Sequence, residues 1–407
     1  MIHYLQEPLL LENRGVTIRN RFMKSAMSEG MASRLNAPTE DLIRLYERWS
    51  EGGAGLIVSG NVMVTRDALG EPGNVVLEDS GSMDVFRRWA KAGKKEGNEF
   101  WMQINHPGKQ VVRGLVKEGQ APSAVPFPAG FQKFFAPSRA LTKAGIEEII
   151  YRFKRTAALA KEAGFTGVQI HAAHGYLISQ FLSPRHNIRE DEWGGSIENR
   201  SRFLKEIYRA VRAEVGEDYP IGVKINSADF MKAGFTEEES VYVIRTLEDL
   251  GVDLIEISGG TYEKAVMTGK QSEKSKREAY FLEYADTLKN QTRLPVAVTG
   301  GFRTKEGMIE AVRSGSADMI GLARPLAVDP DIPRKILHGE MDDIMIPSIK
   351  TGIPPVDKAG MMEVMWYSQQ LHRMGKGKAT KPRFSPKLSM LLALWENGTG
   401  VFQKRRA

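Results

Sequence analysis

Along most of the chain, short apolar or β-branched runs alternate with longer segments whose apolar residues recur at helical spacing. Eight short runs read as strands: RFMKSA from Arg21, GLIVSG from Gly55, EFWMQIN from Glu99, GVQIH from Gly167, PIGVKIN from Pro220, DLIEIS from Asp253, LPVAVTG from Leu294 and ADMIGLA from Ala317. The stretches between them carry helix start and stop signals. In TEDLIRLYERWSEGG, Thr39 can cap and Gly52–Gly53 can terminate; ENRSRFLKEIYRAVRAEVG, TEEESVYVIRTLEDLG and TKEGMIEAVRSG repeat the pattern. Eight strand–helix units within about 320 residues predict an α/β fold of the (β/α)8 TIM-barrel type, which takes about 250 residues plus insertions. The rival, an open doubly wound sheet, announces itself by a GxGxxG turn after its first strand, and none stands there.

Two segments break the rhythm. The Gly-, Pro- and aromatic-rich insertion after the third strand, from Pro107 to Ala144, is too long for a plain loop and is expected to fold over the active end of the barrel. After Gly339 the alternation stops, which divides the chain into a barrel over 1–339 and an extension over 340–407. The extension holds a helix expected around Met361–Met374, the basic KGKATKPRF and an apolar SPKLSMLLALWENG. That last piece is too short to span a bilayer and is expected to dock as a helix.

Composition narrows the function classes. Hydrophobic residues make up 42% and charged residues 26%, enough for a large core without wholesale disorder. Cysteine is absent, which excludes disulfides, thiolate zinc sites, iron–sulfur clusters and a cysteine nucleophile. No apolar run approaches the roughly 20 residues of a membrane span, and the N-terminus has no signal-peptide core, so a cytoplasmic protein without a membrane partner is expected. Much of the +7 net charge lies late, in KGKATKPR and QKRRA. It reads as solvated surface rather than a nucleic-acid site, because no aromatic platform is interleaved with it. The sequence is compatible with a homo-oligomer.

Barrel active sites sit at the C-terminal ends of the strands, so candidate residues are sought there. The first strand ends at Ser25-Ala26-Met27-Ser28, the second at Gly60-Asn61, the third at Gln103 to His106, and the fourth at His171 with His174 and Tyr176. The fifth ends at Lys224 and Asn226, the sixth at Ser258-Gly259-Gly260, the seventh at Thr299-Gly300-Gly301 and the eighth at Ala323-Arg324. His106, His171 and His174 are the raw material for a metal-dependent lyase or hydrolase with an open position on the ion. Lys224 and Arg324 nearby argue against a cation, although Glu256 and Asp229 are available as carboxylates. TGGFRTKEG and GLARPL favour phosphate instead: paired glycines before a helix N-terminus on one strand end, an arginine on the next. With Gln103 and Lys224 as further donors, the physical reading reaches a phosphate-bearing heteroaromatic cofactor. The i, i+3, i+5 grouping of His171, His174 and Tyr176 favours function; His3, His186, His338 and His372 read as ordinary surface histidines. The charged RHNIREDEWGGSIENR reads as a structural loop, with Glu198 and Arg200 in the first turn of the helix it leads into.

The motifs HAAHGYLISQFLSPRHNIREDEWGGSIENRSRF, NRFMKSAMSEG, GLIVSGNVMV, QINHPG, PIGVKINSADF, TGGFRTKEG and GLARPL stand in an order that resembles the Old Yellow Enzyme family of NAD(P)H:flavin oxidoreductases and ene-reductases, from about Leu9 to Leu337. The resemblance implies an FMN cofactor reduced by NADH or NADPH and an enone-type substrate. It assigns Ser25, Ala26 and Met27 to flavin contacts, Ser28 to the neighbourhood of N5, Gly60 to the ring and Gln103 to the pyrimidine edge. It also assigns Lys224 to N1, and Gly301, Phe302, Ala323 and Arg324 to the phosphate. His171 and His174 would hold the substrate carbonyl, and Tyr176 would protonate Cα after hydride reaches Cβ. A non-catalytic flavin-binding protein is the remaining alternative. The sequence leaves the nucleotide undetermined: the basic loop Lys270–Arg277 suits an extra phosphate and plain solvation equally.

Overall fold

The computed structural model describes residues 1–261, 263, 278–279, 281–353, 357 and 361–397; the basic loop Lys270–Arg277 and the terminal QKRRA lie outside the described residues. Eight parallel strands close into a barrel. They are β1 (Phe22–Lys24), β2 (Leu56–Met63), β3 (Glu99–Asn105), β4 (Gly167–Ala172), β5 (Ile221–Asn226), β6 (Leu254–Ser258), β7 (Val296–Thr299) and β8 (Met319–Leu322). Each falls within or beside one of the eight runs read from the sequence. Every strand pairs with its neighbours in chain order, and β8 closes on β1 through Ile320↔Phe22, Gly321↔Met23 and Leu322↔Lys24.

The strands read as continuous apolar runs because both of their faces are covered. Met23, Leu56, Val58, Trp101, Leu254, Ala297 and Met319 fill the barrel interior, and the larger core lies between strands and helices. Trp101 occupies the interior because two neighbours lack a side chain. A Cβ on Gly167 would lie 2.5 Å from its Nε1, and one on Gly222 would lie 2.8 Å from Cζ3. A short N-terminal hairpin, Leu9–Leu11 with Val16–Ile18, was not visible as a periodic signal; it seats Leu9, Leu11 and Ile18 on the same interior cluster. The helices start where threonines can accept a backbone N–H: Thr39 from Leu42, Thr142 from Gly145, Thr236 from Glu239 and Thr304 from Gly307.

The loop after β4 does hold structure. Arg200 is buried, donates to the carbonyls of Gly195 and Leu182 and pairs with Glu239, while Asn187 Nδ2 bridges the carbonyls of Phe181 and Trp193. The insertion between β3 and β4 behaves differently from expectation. Among the described residues none from 107 to 144 lines the cavity at the C-terminal mouth of the barrel; the segment instead buttresses the β4 loop from outside. Gln110 Nε2 donates to the carbonyl of His174 at 3.0 Å, and Gln180 Oε1 accepts from the N–H of Lys109 at 3.2 Å. His186, read as a surface histidine, is buried against Lys109 Nζ at 3.1 Å.

The extension contributes the helix Met361–Gly375 and the helix Pro386–Asn397. Met362, Trp366, Tyr367, Leu371 and Met374 join the core cluster of the barrel, so the helix Met361–Gly375 is continuous with the barrel in packing. Among the described residues no helix is long and apolar enough to cross a membrane.

Candidate active site

At the C-terminal mouth of the barrel lies a cavity of ≈ 360 Å³. Its floor is a buried polar network assembled from residues in the middle of apolar strands. Gln103 and Gln169 are register partners on β3 and β4, and His171, Lys224 and Glu256 are register partners across β4, β5 and β6. Gln103 Nε2 donates to Gln169 Oε1 at 2.8 Å, and Gln169 Nε2 donates to Glu256 Oε2 at 2.8 Å. Glu256 Oε1 accepts from Thr299 Oγ1 at 2.8 Å and pairs with Lys224 Nζ at 2.9 Å. Burial works against the Glu256 charge, yet Lys224 and these hydrogen bonds outweigh it and hold the carboxyl below its usual value. Gln169 was absent from the sequence-level candidates, Thr299 stood there only as the end of the seventh strand and Glu256 only as a metal-supporting acid; the available signal was a polar side chain inside a strand otherwise apolar on both faces.

The residues after β4 are positioned by backbone geometry. His174 has φ +62° and Gly175 φ +74°, two successive left-handed residues that turn the chain sharply at the strand end. For a non-glycine residue that conformation costs about 1 kcal/mol or more, and tertiary contacts hold it: the His174 N–H donates to Asn226 Oδ1 at 3.1 Å. The turn stacks the rings edge to face, His171 to His174 at 5.1 Å and His171 to Tyr176 at 4.9 Å between centroids. Tyr176 occupies the N-cap position of the helix Leu177–Leu182 and lines the cavity.

Each histidine has one ring nitrogen assigned by its neighbour. His171 Nδ1 accepts from the Ala173 N–H at 3.3 Å, which leaves the proton on Nε2. His174 Nε2 meets Ser258 Oγ at 2.7 Å, so Nδ1 is the nitrogen left for a ligand. Burial first, then His174 and Lys224 for His171, and Lys224 for His174, push both rings well below the usual histidine range. They are neutral donors at neutral pH. His106 does not join them: it is buried outside the cavity, its Nδ1 accepts from the Gly108 N–H, and burial brings it down to about 3. Among the described residues no cluster of three His, Asp or Glu side chains is arranged to hold a metal ion.

On the opposite side of the mouth, Gly300 (φ +108°) and Gly301 (φ +98°) line the cavity with Phe302, Ala323 and Arg324. The helix N-terminus that follows is less available than TGGFRTKEG suggested. Glu278 Oε2 accepts from the N–H groups of Arg303 and Thr304, each at 3.0 Å, so that carboxylate already occupies the donors. Arg324 pairs with Glu363 of the tail helix at 3.2 Å, and Val364, Tyr367, Ser368 and Leu371 complete this wall.

Of the remaining sequence-level candidates, Ala26, Met27, Ser28, Gln103 and Lys224 line the cavity. Ser25 and Gly60 stand behind it. Ser25 Oγ bonds Thr299 Oγ1 at 2.8 Å, and the Gly60 N–H meets Tyr46 Oη at 2.7 Å and Glu29 Oε1 at 3.0 Å; Asn61 is the residue of that strand end that reaches the cavity. Glu71, which the sequence did not single out, also lines the cavity, and burial raises its carboxyl above the usual range.

Comparison with known proteins gives the family. The chain matches the model of the NADH:flavin oxidoreductase / NADH oxidase family over residues 4–343. It is 36% identical over 349 residues to the NADH-dependent flavin oxidoreductase iliE of Hypocrea jecorina, covering 79% of this chain and 86% of that one. It is also 36% identical over 327 residues to an NADPH dehydrogenase of a Geobacillus species, covering 79% and 90%. Among solved structures it resembles the old yellow enzyme homologue of Zymomonas mobilis at 26% identity and TM-score 0.72, over 83% of this chain and 93% of that chain. A 2-naphthoyl-CoA reductase in complex with 2-naphthoyl-CoA is similar at 28% identity and TM-score 0.77, over 84% of this chain but only 54% of that longer one. Since the match runs through all eight barrel strands and the strand ends around the cavity, the chain belongs to the NADH:flavin oxidoreductase / NADH oxidase family, that of the Old Yellow Enzymes.

Proposed function

We propose that this protein is an FMN-dependent NAD(P)H oxidoreductase of the ene-reductase type, acting on the C=C bond of small α,β-unsaturated carbonyl compounds. The observation that carries the reading is that one cavity is lined both by His171, His174 and Tyr176 and by Gly300, Gly301 and Arg324, with Gln103 and Lys224 between. That donor set fits a phosphate-bearing flavin: a guanidinium and two glycines for the phosphate, an amide for the pyrimidine edge and an ammonium for negative charge on the ring system. Bound FMN supplies the hydride, taken from NADH or NADPH and delivered to the substrate Cβ.

The protein's own residues do the rest. His171 donates from Nε2 to the substrate carbonyl oxygen and stabilises it as it gains negative charge. His174 adds a second donor from Nδ1, provided that the Ser258 hydroxyl donates to its Nε2. Because both rings are neutral, they donate hydrogen bonds without competing as acids, which leaves the Tyr176 hydroxyl to protonate Cα. Ser28, on the cavity wall beside Asn61 (Oγ to Oδ1 3.4 Å), would tune the cofactor's reacting edge.

The purified protein is expected to be yellow, to bleach anaerobically on addition of NADH or NADPH, and to regain colour with an enone or oxygen. A colourless protein that takes up no FMN refutes the reading, and retained FMN without turnover on a broad enone panel reduces it to flavin binding. Tyr176→Phe is expected to slow re-oxidation by an enone by about 10²-fold or more, the usual scale of a lost general acid, while reduction by NAD(P)H changes little. Equal losses in both half-reactions would contradict the role of Tyr176.

A further inference from the structure

The helix Met361–Gly375 lies beyond residue 343, where the family match ends, yet it walls the cavity beside Arg324. Its position is set by contacts that do not involve the cavity. Trp366 is fully buried, with its Nε1 donating to the Phe384 carbonyl at 3.0 Å. His372 Nε2 donates to the Glu29 carbonyl at 3.0 Å, and Arg44 donates to the Gly375 carbonyl at 2.5 Å. Glu363 is therefore presented from a fixed element, and its Oε2 accepts from Arg324 Nη1 at 3.2 Å.

We infer that the tail helix is part of the cofactor site and that Glu363 is a positioning residue, holding Arg324 in the conformation that receives a phosphate. The inference rests on the reading of Arg324 as the phosphate ligand. A guanidinium has five N–H donors in a planar fork, so one donated to Glu363 leaves the others for an anion. A partly exposed arginine otherwise surrenders its rotamer freedom when the phosphate arrives, and a long side chain ordered in advance is worth roughly 3- to 10-fold in affinity. The carboxylate also repels a phosphate. At the 28% and 30% side-chain exposure of this pair that repulsion is screened by solvent, whereas the geometric restraint is not. Positioning is thus the larger effect.

The test is flavin binding by the full chain after removal of bound flavin, followed by quenching of flavin fluorescence, with FMN and riboflavin as probes. Glu363→Ala is expected to weaken FMN binding about 3- to 10-fold, with riboflavin unaffected because it lacks the phosphate. Glu363→Gln, which keeps an acceptor for Arg324, is expected to lose less. In an Arg324→Ala background, Glu363→Ala should have no further effect. Unchanged or tighter FMN binding by Glu363→Ala overturns the inference, as does an equal loss for riboflavin, which would mark a packing role. Arg324→Ala that binds FMN like wild type would refute the phosphate assignment itself, and the inference with it.

Discussion

Glu256→Gln is the sharpest probe of the cavity floor. The carboxylate has no exposure to solvent and accepts from Lys224 Nζ, Thr299 Oγ1 and Gln169 Nε2, all between 2.8 and 2.9 Å. Removing one charge of a buried pair costs about 3–5 kcal/mol, mostly because the partner is left buried and uncompensated. Here the amide oxygen still accepts, and Lys224 borders a cavity that admits water, so about 2–4 kcal/mol is expected. With an unfolding entropy of about 2.1 cal/mol/K per residue, a cooperative unit of this size loses about 3–4 °C of Tm for a 3 kcal/mol change. Urea unfolding of the flavin-free protein at pH 7 gives the free energy directly.

The effect should also depend on pH. The folded protein holds the Glu256 pKa below its usual 4.5, so it favours the carboxylate more than the unfolded chain does. That stabilisation is fully present above about pH 4.5 and is lost as pH falls through the lower folded value. Wild type and Glu256→Gln should therefore converge in acid. A loss below about 0.5 kcal/mol at pH 7, within the range of ordinary surface substitutions, would show that Lys224 does not depend on Glu256. A difference that persists unchanged into acid would show that the carboxylate charge is not its source.

Two further predictions concern a buried residue behind the cavity and a positioning residue on its wall. Lys24 is fully buried, donates to the Val58 carbonyl at 2.8 Å and lies over the rings of Trp49 and Tyr46; burial brings its pKa down to about 7 from 10.5. Between about pH 7 and 10.5 the unfolded chain binds a proton that the folded one does not, so this group makes stability rise with pH. Lys24→Met should flatten the rise in urea midpoint between pH 7 and pH 9, and an undiminished rise would contradict the burial argument. Ser258→Ala removes the partner of His174 Nε2, and a phenol titrated against the flavin-loaded protein should bind roughly 2- to 10-fold more weakly, the scale of one hydrogen bond; unchanged binding would mean that Ser258 does not set the orientation of His174.

The order of residues was enough for the barrel and for much of its mouth. Buried parallel strands impose apolar runs, and strand ends place His171, His174, Tyr176, Gln103, Lys224 and Arg324 where chemistry collects, so each was visible from local pattern alone. The network that joins the polar residues inside strands was not. Gln169, Glu256 and Thr299 make sense only once register brings three strands together, because a charge in an apolar run has no local signature of its partner. The same limit explains Glu278, whose carboxylate occupies the N–H groups of Arg303 and Thr304, and Glu363, which lies far along the chain from the arginine it holds. It explains why the insertion after β3 turned out to be a buttress and the tail helix a wall. Periodicity reports how an element meets its nearest layer, but which distant segment closes a cavity depends on packing of the whole barrel. Local pattern thus determined which side chains stand at the mouth, and only tertiary packing decided what they face.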